Sequence, residues 1–303
     1  VSGSWKTIWT RRLMSRGTPP LVKNGRPRKM FPQLGPSAGF IVANGLFLVL
    51  GETLSEGQFD SWGWRLPFVA SLLLVIVGLY VRLKISETPV FQQAMDERRI
   101  AKVPFAGLMR HQWRRVLLGA GAMTIAYTLF YTATTYCLAY GTDTLQIPRT
   151  TMLALTMIGV VFMAAGTVVS AVVSDRVGRR RTLITGTIAA VVWGLVMFPL
   201  METRSVLLVG LALAGALALM GLVFGPMGAY LPELFRTEFR YSGASTAYSL
   251  GGVLGGAVPP LVATAMQASG LGALAVGGYV AAMALLSLLC LLALPETGDS
   301  TLR

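Results

Sequence analysis

The sequence has 303 residues, of which 54% are hydrophobic and 13% charged, with 34 glycines and a formal net charge of +13. A soluble domain carries about a quarter charged residues, so this composition indicates a chain whose solvent is lipid and excludes ordinary soluble domains. Cys137 and Cys290 lie in apolar runs without metal-ligand spacing, and His111 is the single histidine. We therefore predict no disulfide, no metal site and no cofactor.

Residues 1–30 form the first segment, which holds eight Lys and Arg and no Asp or Glu. A secretory signal needs an apolar core of at least about seven residues, and this segment has none. We expect a disordered, non-native leader here. A tail that binds RNA or anionic lipid is the alternative interpretation.

Long uncharged runs follow the leader. A helix needs about 20 apolar residues to cross the hydrocarbon layer of a bilayer. Runs near that length predict eight spans, at residues 30–51, 64–84, 116–142, 150–174, 182–201 and 205–232, with two more in 241–295 separated by a turn near Ser269–Gly272.

The basic residues predict how these spans are oriented. Only Arg65, Arg149 and Arg204 fall in one set of alternate connections, and the other 23 of the 26 Lys and Arg fall in the other set and the two ends. Cytoplasmic loops retain positive charge, so both termini are predicted to be cytoplasmic. The charge is thus a topological signal, and a nucleic-acid partner is not needed to explain it.

The connection between the fourth and fifth spans carries a motif. Asp175, Arg176, Gly178, Arg179 and Arg180 occur in the order Asp-Arg-x-Gly-Arg-Arg. Glycine allows a tight reversal, and a carboxylate there can accept from an arginine or a helix N-terminus. The segment resembles the loop between helices eight and nine of the major facilitator superfamily, which implies a gating loop. A simple turn with topological arginines is the alternative.

Two further segments resemble one branch of that superfamily, the metabolite:proton symporters, which include α-ketoglutarate, citrate, shikimate and proline/betaine permeases. The first is Trp64–Phe68 with the exit Lys84–Phe91, and the second is Pro232–Gly243. The second segment implies that Glu233 and Arg240 are partners of the gating loop. Arg236 and Glu238 depart from the family pattern.

The resemblance covers about residues 31–297 and implies a fold class: an all-α polytopic protein, a partial major-facilitator fold of about eight spans that lacks helices one to four. It divides the chain into the leader 1–30, the last two helices of one half at 31–84, and a central cytoplasmic linker at 85–114. The six-helix second half follows at 115–296, with a tail at 297–303. It also implies residence in a bacterial inner membrane.

Polar side chains inside spans predict where a substrate binds, because lipid penalises them unless they face a cavity or another helix. Helical spacing places Thr124, Tyr127, Thr128, Tyr131 and Thr135 on one face. The family resemblance implies that this helix lines the central cavity, so Tyr127, Tyr131 and Thr135 are the first candidates. Asn44, Ser245 and Tyr248 are weaker ones, and packing between helices is the alternative for all of them.

Glycines mark two further places. Gly225 and Pro226 predict a helix bend, because proline removes a backbone hydrogen bond. Gly251, Gly252, Gly255 and Gly256 form two overlapping GxxxG spacings, which allow close helix contact. Either place could act as a hinge, and tight packing is the favoured interpretation.

These features predict a secondary transporter that moves a small organic acid or zwitterion together with protons by alternating access. Its partners are that substrate, the proton and the lipid bilayer. No acidic residue lies at the middle of a predicted span, so a proton carrier is not identified. We expect the chain to be shortened and inactive alone; a non-transporting remnant or an oligomerising scaffold is the alternative. No catalytic dyad lies at span depth, so an enzyme is not predicted.

Overall fold

The structure is a computed structural model, and it describes residues 31–84 and 104–297. Within these ranges, eight helices are long and apolar enough to cross a membrane. This confirms the predicted class, an all-helical polytopic protein. The physical reason is that lipid offers no hydrogen-bond partners, so a crossing segment must satisfy its backbone groups internally. The leader, residues 85–103 of the linker and the last six residues lie outside the described residues.

The spans follow one another with short connections. They are α1 (Phe31–Thr53), α2 (Leu66–Lys84), α3 (Pro104–Tyr131, extended to Thr144), α4 (Arg149–Val177), α5 (Arg179–Glu202), α6 (Val206–Glu233), α7 (Arg240–Gly252, extended to Ala268) and α8 (Gly272–Ala293). A short helix (Glu56–Ser61) and a 3-10 turn (Gly63–Arg65) connect α1 to α2. The predicted turn between α7 and α8 contains Gly270 and Gly272, both with positive φ.

Two spans depart from α-helical geometry. The extension of α3 contains π-helical turns at Thr132–Tyr136 and Tyr140–Thr144, and α7 contains one at Val253–Ala257. In addition, α3 begins inside the predicted linker and bends at Gln112, where φ is −133° and ψ is 18°. Periodicity along the sequence does not reveal such turns, because one extra residue in a helical turn leaves the apolar run intact.

Helices α3–α8 form one bundle whose closest contacts lie at small residues. The most extensive contact is between α4 and α6, followed by α3 with α7 and then α5 with α8. A Cβ built on Gly166 of α4 would lie 2.6 Å from the Ala218 carbonyl oxygen, and one on Gly194 of α5 would lie 2.9 Å from the Ala281 nitrogen. Small residues let helix backbones approach closely in lipid, where van der Waals packing replaces the hydrophobic effect as the driving force.

The contact between α3 and α8 contains an inserted side chain. The Ser287 hydroxyl of α8 accepts from the Ile125 N–H at 3.0 Å and donates to the Gly121 carbonyl at 2.7 Å. Those two backbone groups stand in the i and i+4 positions of α3, so the hydroxyl occupies the place of one helical hydrogen bond. Ser287 is fully buried, and it therefore ties α8 into the backbone of α3.

The first two spans lie against the outside of this bundle. α1 packs on α4, and its Phe40 contacts Phe130 of α3 edge to face with ring centroids 5.6 Å apart. Among the described residues, α2 packs closely only on α1 and the turn before it, and Leu83 remains 77% exposed. α1 is thus joined to the bundle mainly through α4, whereas α2 is joined to it through α1. The domain boundaries stay a prediction.

Candidate functional site

The polar residues predicted on one face of α3 separate into two groups. Thr124 and Thr128 are fully buried, and each hydroxyl donates to its own helix, to the Ala120 and Thr124 carbonyls at 3.0 Å. For these two threonines the structure therefore agrees with the packing alternative, because a buried hydroxyl is satisfied by the carbonyl one turn back.

Tyr127, Tyr131 and Thr135 remain accessible along α3. Tyr127 is half-buried, Tyr131 is 38% exposed and Thr135 is exposed. They recur at every fourth position, so they form a row along one side of the helix. We call these three residues the hydroxyl row.

The glycines of α7 form the surface beneath this row. A Cβ on Gly252 would lie 3.6 Å from the Tyr127 ring, and one on Gly256 would lie 2.9 Å from the Tyr131 ring. A Cβ on Gly255 would collide with the Thr124 carbonyl oxygen. The GxxxG spacings thus bring α7 onto α3 at backbone distance and hold both tyrosine rings in place.

The remaining cavity candidates lie on α7 and α1. Ser245 is exposed, and Tyr248 is half-buried with its hydroxyl 3.0 Å from the Gln33 side-chain nitrogen. Asn44 is also half-buried, but its amide donates to the Phe40 carbonyl of its own helix at 3.0 Å. The structure therefore joins Tyr248 to Gln33 of α1 and gives Asn44 no partner on another described helix.

Gln33 of α1 was not identified from the sequence. Its amide nitrogen donates to the Phe224 carbonyl of α6 at 3.2 Å as well as to Tyr248 of α7. The only sequence signal is a polar residue at the start of an apolar run. Its partners lie 191 and 215 residues away along the chain, so no local pattern could have revealed them.

Charged residues meet at the connection between α4 and α5. Gly178 has φ of 109° and lets the chain reverse between the two helices. Arg179 forms an ion pair with Glu233 at the end of α6, and its second guanidinium nitrogen is 3.8 Å from an Asp175 oxygen. This end of the bundle, formed by Asp175, the Gly178 turn, Glu233 and residues 294–297, is called the arginine end below.

Glu296 also binds the arginine end and was not identified from the sequence. One of its carboxylate oxygens accepts from the backbone N–H groups of Arg179 and Arg180 at 3.0 and 3.1 Å. A carboxylate at a helix N-terminus is stabilised by the unpaired N–H groups and the helix dipole. Arg180 completes the contact, because its guanidinium donates to the Leu291 and Leu292 carbonyls of α8 at 3.0 and 2.7 Å. Arg176 is exposed on the last turn of α4.

Two further predicted positions are the latch partner Arg240 and the helix bend at Gly225 and Pro226. Arg240 was expected to pair with the gating loop, yet it pairs with neither Asp175 nor Glu233, and its Nε is buried without a hydrogen-bond partner among the described residues. Glu233 is paired with Arg179 instead. At the predicted bend, α6 continues as a helix through Gly225 and Pro226. A Cβ on Gly225 would lie 2.5 Å from the Thr167 carbonyl oxygen, so this glycine serves close packing on α4.

A polar pocket of about 340 Å³ lies at the other end of α3 and α7, and it is lined by Tyr136, Tyr140, Asp143, Thr144, Thr264 and Gln267, with two alanines. The Gln267 amide joins the two helices: its oxygen accepts from the Tyr136 hydroxyl at 3.1 Å and its nitrogen donates to Thr144 at 2.8 Å. The two π-helical turns of α3 bring these groups together.

No group of three His, Cys, Asp or Glu side chains that could hold a metal ion occurs in the part of the chain that the structure describes. Cys137 is buried and Cys290 is half-buried, and both are free thiols. Cys290 packs against Gly121, where an added Cβ would collide with its sulfur. The arrangement therefore offers hydroxyl and amide hydrogen bonds along the spans and ion pairs at one end.

A bundle of apolar spans, with a row of accessible hydroxyls along one helix and ion pairs at one end, is the architecture of a multi-pass membrane protein. The chain belongs to the Major Facilitator Superfamily, whose sequence profile matches residues 34–260 and, in an overlapping second match, 142–302. It is a multi-pass protein of the bacterial inner membrane, and the relatives below are named as transporters rather than enzymes.

Individual relatives narrow the comparison. The chain is 42% identical over 292 residues to the inner membrane metabolite transport protein YhjE of Escherichia coli (strain K12), covering 93% of this chain and 66% of that protein. It is 30% identical to the proline/betaine transporter of the same strain, over 78% of this chain and 49% of the relative. It is 29% identical to the shikimate transporter of that strain, over 77% of this chain and 54% of the relative.

A solved structure shows the same fold. The proton:xylose symporter XylE superposes with a TM-score of 0.67 at 15% identity, over 90% of this chain and 65% of that one. The chain thus spans about half to two thirds of the length of these proteins. Because these relatives are named as transporters, the comparison does not favour the alternative of a non-transporting remnant or scaffold.

Proposed function

We propose that the chain belongs to a secondary transporter that moves a small organic acid or zwitterion together with protons, by alternating access between α1–α2 and the α3–α8 bundle. The observation that carries this proposal is the hydroxyl row beside Tyr248 and Gln33, where helices from both groups meet. In lipid, accessible hydroxyls at such a junction are costly unless they serve a polar ligand or another helix.

The substrate class follows from chemistry and from the relatives. Tyrosine and threonine hydroxyls donate hydrogen bonds, and carboxylates are strong acceptors. Proline, betaine and shikimate, which name two of the relatives, all carry a carboxylate. A row of neutral donors suits a compact substrate with a single carboxylate.

Proton coupling is the finer part of this proposal and is supported by the resemblance to metabolite:proton symporters. In the described spans the acidic residues lie at helix ends, as Asp175, Glu202 and Glu233 do. We expect a pH gradient to drive uptake in the assembly that contains this chain. An uptake rate that does not change when the gradient is collapsed would contradict the coupling.

We further propose that the arginine end faces the cytoplasm and acts as the gating loop. The charge asymmetry supports this orientation, and the ion pair of Arg179 with Glu233 supports a lock between α5 and α6. A single cysteine at exposed Tyr241, in a chain with Cys137 and Cys290 replaced by alanine, should react with a membrane-impermeant maleimide only after the membrane is opened. Labelling in intact cells would contradict the proposed orientation and place the arginine end outside the cell.

The proposal is tested by substrate binding to the 303-residue chain in lipid nanodiscs, with radiolabelled L-proline, glycine betaine and shikimate as probes. Tyr127→Phe and Tyr131→Phe should each weaken binding about tenfold, the value of one hydrogen bond to a charged acceptor. Tyr241→Phe is the matched control, because Tyr241 is 90% exposed outside the row.

The same chain in proteoliposomes is expected to bind without proton-driven accumulation, because α2 leaves most of its surface without a partner. Accumulation by the chain alone would show that its eight spans suffice. Absence of binding by every probe would contradict the proposed substrate class.

A further inference from the structure

A buried amide group joins three helices near the hydroxyl row. Gln33 of α1 is 9% exposed, and its amide nitrogen is 3.2 Å from the Phe224 carbonyl oxygen of α6 and 3.0 Å from the Tyr248 hydroxyl of α7. The amide fits because residue 228 is glycine: a Cβ there would lie 2.9 Å from Gln33 Cδ. The group is therefore held on three sides.

The direction of these hydrogen bonds follows from their chemistry. A backbone carbonyl only accepts, so the Gln33 atom that faces Phe224 is the nitrogen and not the oxygen. The same nitrogen faces Tyr248, and its two hydrogens are then both used. The Tyr248 oxygen thus acts as an acceptor toward Gln33, and its own hydrogen remains for a different partner.

The Tyr248 hydrogen is available at the hydroxyl row. Tyr248 is not fully buried, and Gly252, one turn further along α7, lies against the Tyr127 ring of the hydroxyl row. Ser37, one turn beyond Gln33 on α1, is 2% exposed and its hydroxyl has no hydrogen-bond partner. Within the described ranges, α1 therefore holds a second buried polar group here, the Ser37 hydroxyl, that lacks a hydrogen-bond partner.

We propose that Gln33 is a positioning residue that makes Tyr248 an obligate hydrogen-bond donor to a carboxylate oxygen of the substrate. This inference rests on the proposed function and adds to it a residue of α1 that determines specificity. Gln33 does not touch the substrate in this account. It selects carboxylates indirectly, because Tyr248 can no longer turn its hydrogen toward Phe224 or Gln33.

The key variant is Gln33→Glu, which keeps the size of the side chain and removes the fixed donor pair. An ionised carboxyl accepts from Tyr248, and a protonated one gives its single hydrogen to Phe224 and still accepts from Tyr248. In both protonation states the Tyr248 hydrogen is drawn away from the substrate. Gln33→Met removes all hydrogen bonding at similar length and leaves Tyr248 free to donate.

Binding is measured in nanodiscs with L-proline, glycine betaine and shikimate, each compared with its methyl ester. We expect Gln33→Glu and Tyr248→Phe each to raise the Kd for the free acid about tenfold, with less than a threefold change for the ester. Gln33→Met should raise it less than Gln33→Glu does. In the Tyr248→Phe background, Gln33→Glu should have no further effect beyond about twofold. Gln58→Glu, on the exposed short helix, is the control for added charge.

Several outcomes separate this inference from the proposed function. If the unaltered chain binds none of the acids, the proposed function fails and the inference fails with it. If the acids bind but the two substitutions are additive, or if acid and ester lose affinity equally, Gln33 is only structural and the inference alone is overturned. Unchanged binding by Gln33→Glu overturns it as well. Misfolding is recognised because Gln33→Met would then lose binding to the same extent.

Discussion

The contact between α3 and α7 allows a sharp test of close packing. A Cβ on Gly255 would collide with the Thr124 carbonyl oxygen and would lie 3.0 Å from the Tyr127 Cβ. Gly278 of α8 is the matched control, since a Cβ there meets nothing within 4 Å. Both glycines lie in the interior of a span, so replacing either one by alanine changes helix propensity in the same sense.

The expected magnitude follows from that difference. Alanine in place of glycine favours a helix by up to about 1 kcal/mol, whereas an added methylene in a tight contact costs about 1–3 kcal/mol. Gly278→Ala should therefore be neutral or stabilising. Gly255→Ala should be less stable than Gly278→Ala by about 1–3 kcal/mol, because α3 and α7 must separate to admit the methyl group.

The measurement is reversible unfolding in mixed micelles by titration with sodium dodecyl sulfate, followed by circular dichroism and tryptophan fluorescence. Gly255→Ala should also weaken probe binding, because its methyl group would push on Tyr127 in the hydroxyl row. Equal stability of the two variants would refute the conclusion that the α3 and α7 backbones are in contact. A stable Gly255→Ala chain with unchanged binding would show that the glycine does not position the row.

Three more predictions concern contacts between the spans. Glu233→Gln and Arg179→Gln should each destabilise the chain, and a double-mutant cycle should give a coupling energy of about 1–2 kcal/mol. The coupling is limited because Asp175, 3.8 Å from Arg179, offsets part of the loss of Glu233. Additive effects of the two substitutions would contradict the ion pair. Ser287→Ala should lower the free energy of unfolding by about 1–3 kcal/mol in the same assay, because it removes two buried hydrogen bonds. Ser71→Ala on the exposed α2 is the control and should leave the stability unchanged. Glu296→Ala should lower the stability by about 1 kcal/mol and Glu296→Gln by less. The effect is small because water can partly replace an exposed carboxylate at a helix N-terminus. If neither variant changes the stability, Glu296 does not hold the start of α5 in place.

The spans were predictable because lipid imposes a simple rule on the sequence. Each crossing segment must be about 20 apolar residues long and helical, so the uncharged runs marked eight helices, and seven of them lie within a few residues of their predicted bounds. The exception is α3, which begins at Pro104 rather than at residue 116. The reversal at Gly178 was also predictable, since only glycine suits a φ of 109° without strain. These are local properties, and each can be read from a short stretch of chain.

The hydroxyl-bearing residues of α3 show where the sequence alone became insufficient. Helical spacing placed Thr124 and Thr128 with Tyr127 and Tyr131, but burial separated them. Side-chain spacing defines a face of a helix, and only the neighbouring helices decide how wide the accessible part of that face is. The π-helical turns within α3 and α7 were likewise unpredictable, because they depend on packing rather than on composition.

The pairing of distant groups was decided by tertiary structure alone. Gln33 meets Tyr248, Glu296 binds the start of α5, and Arg179 rather than Arg240 pairs with Glu233. Each outcome depends on the order in which helices pack and on which of several charged groups arrives closest. The sequence by itself determined the solvent, the number of spans and the types of polar group they carry. Which of those groups meet was settled only when small residues allowed particular helices to approach at backbone distance.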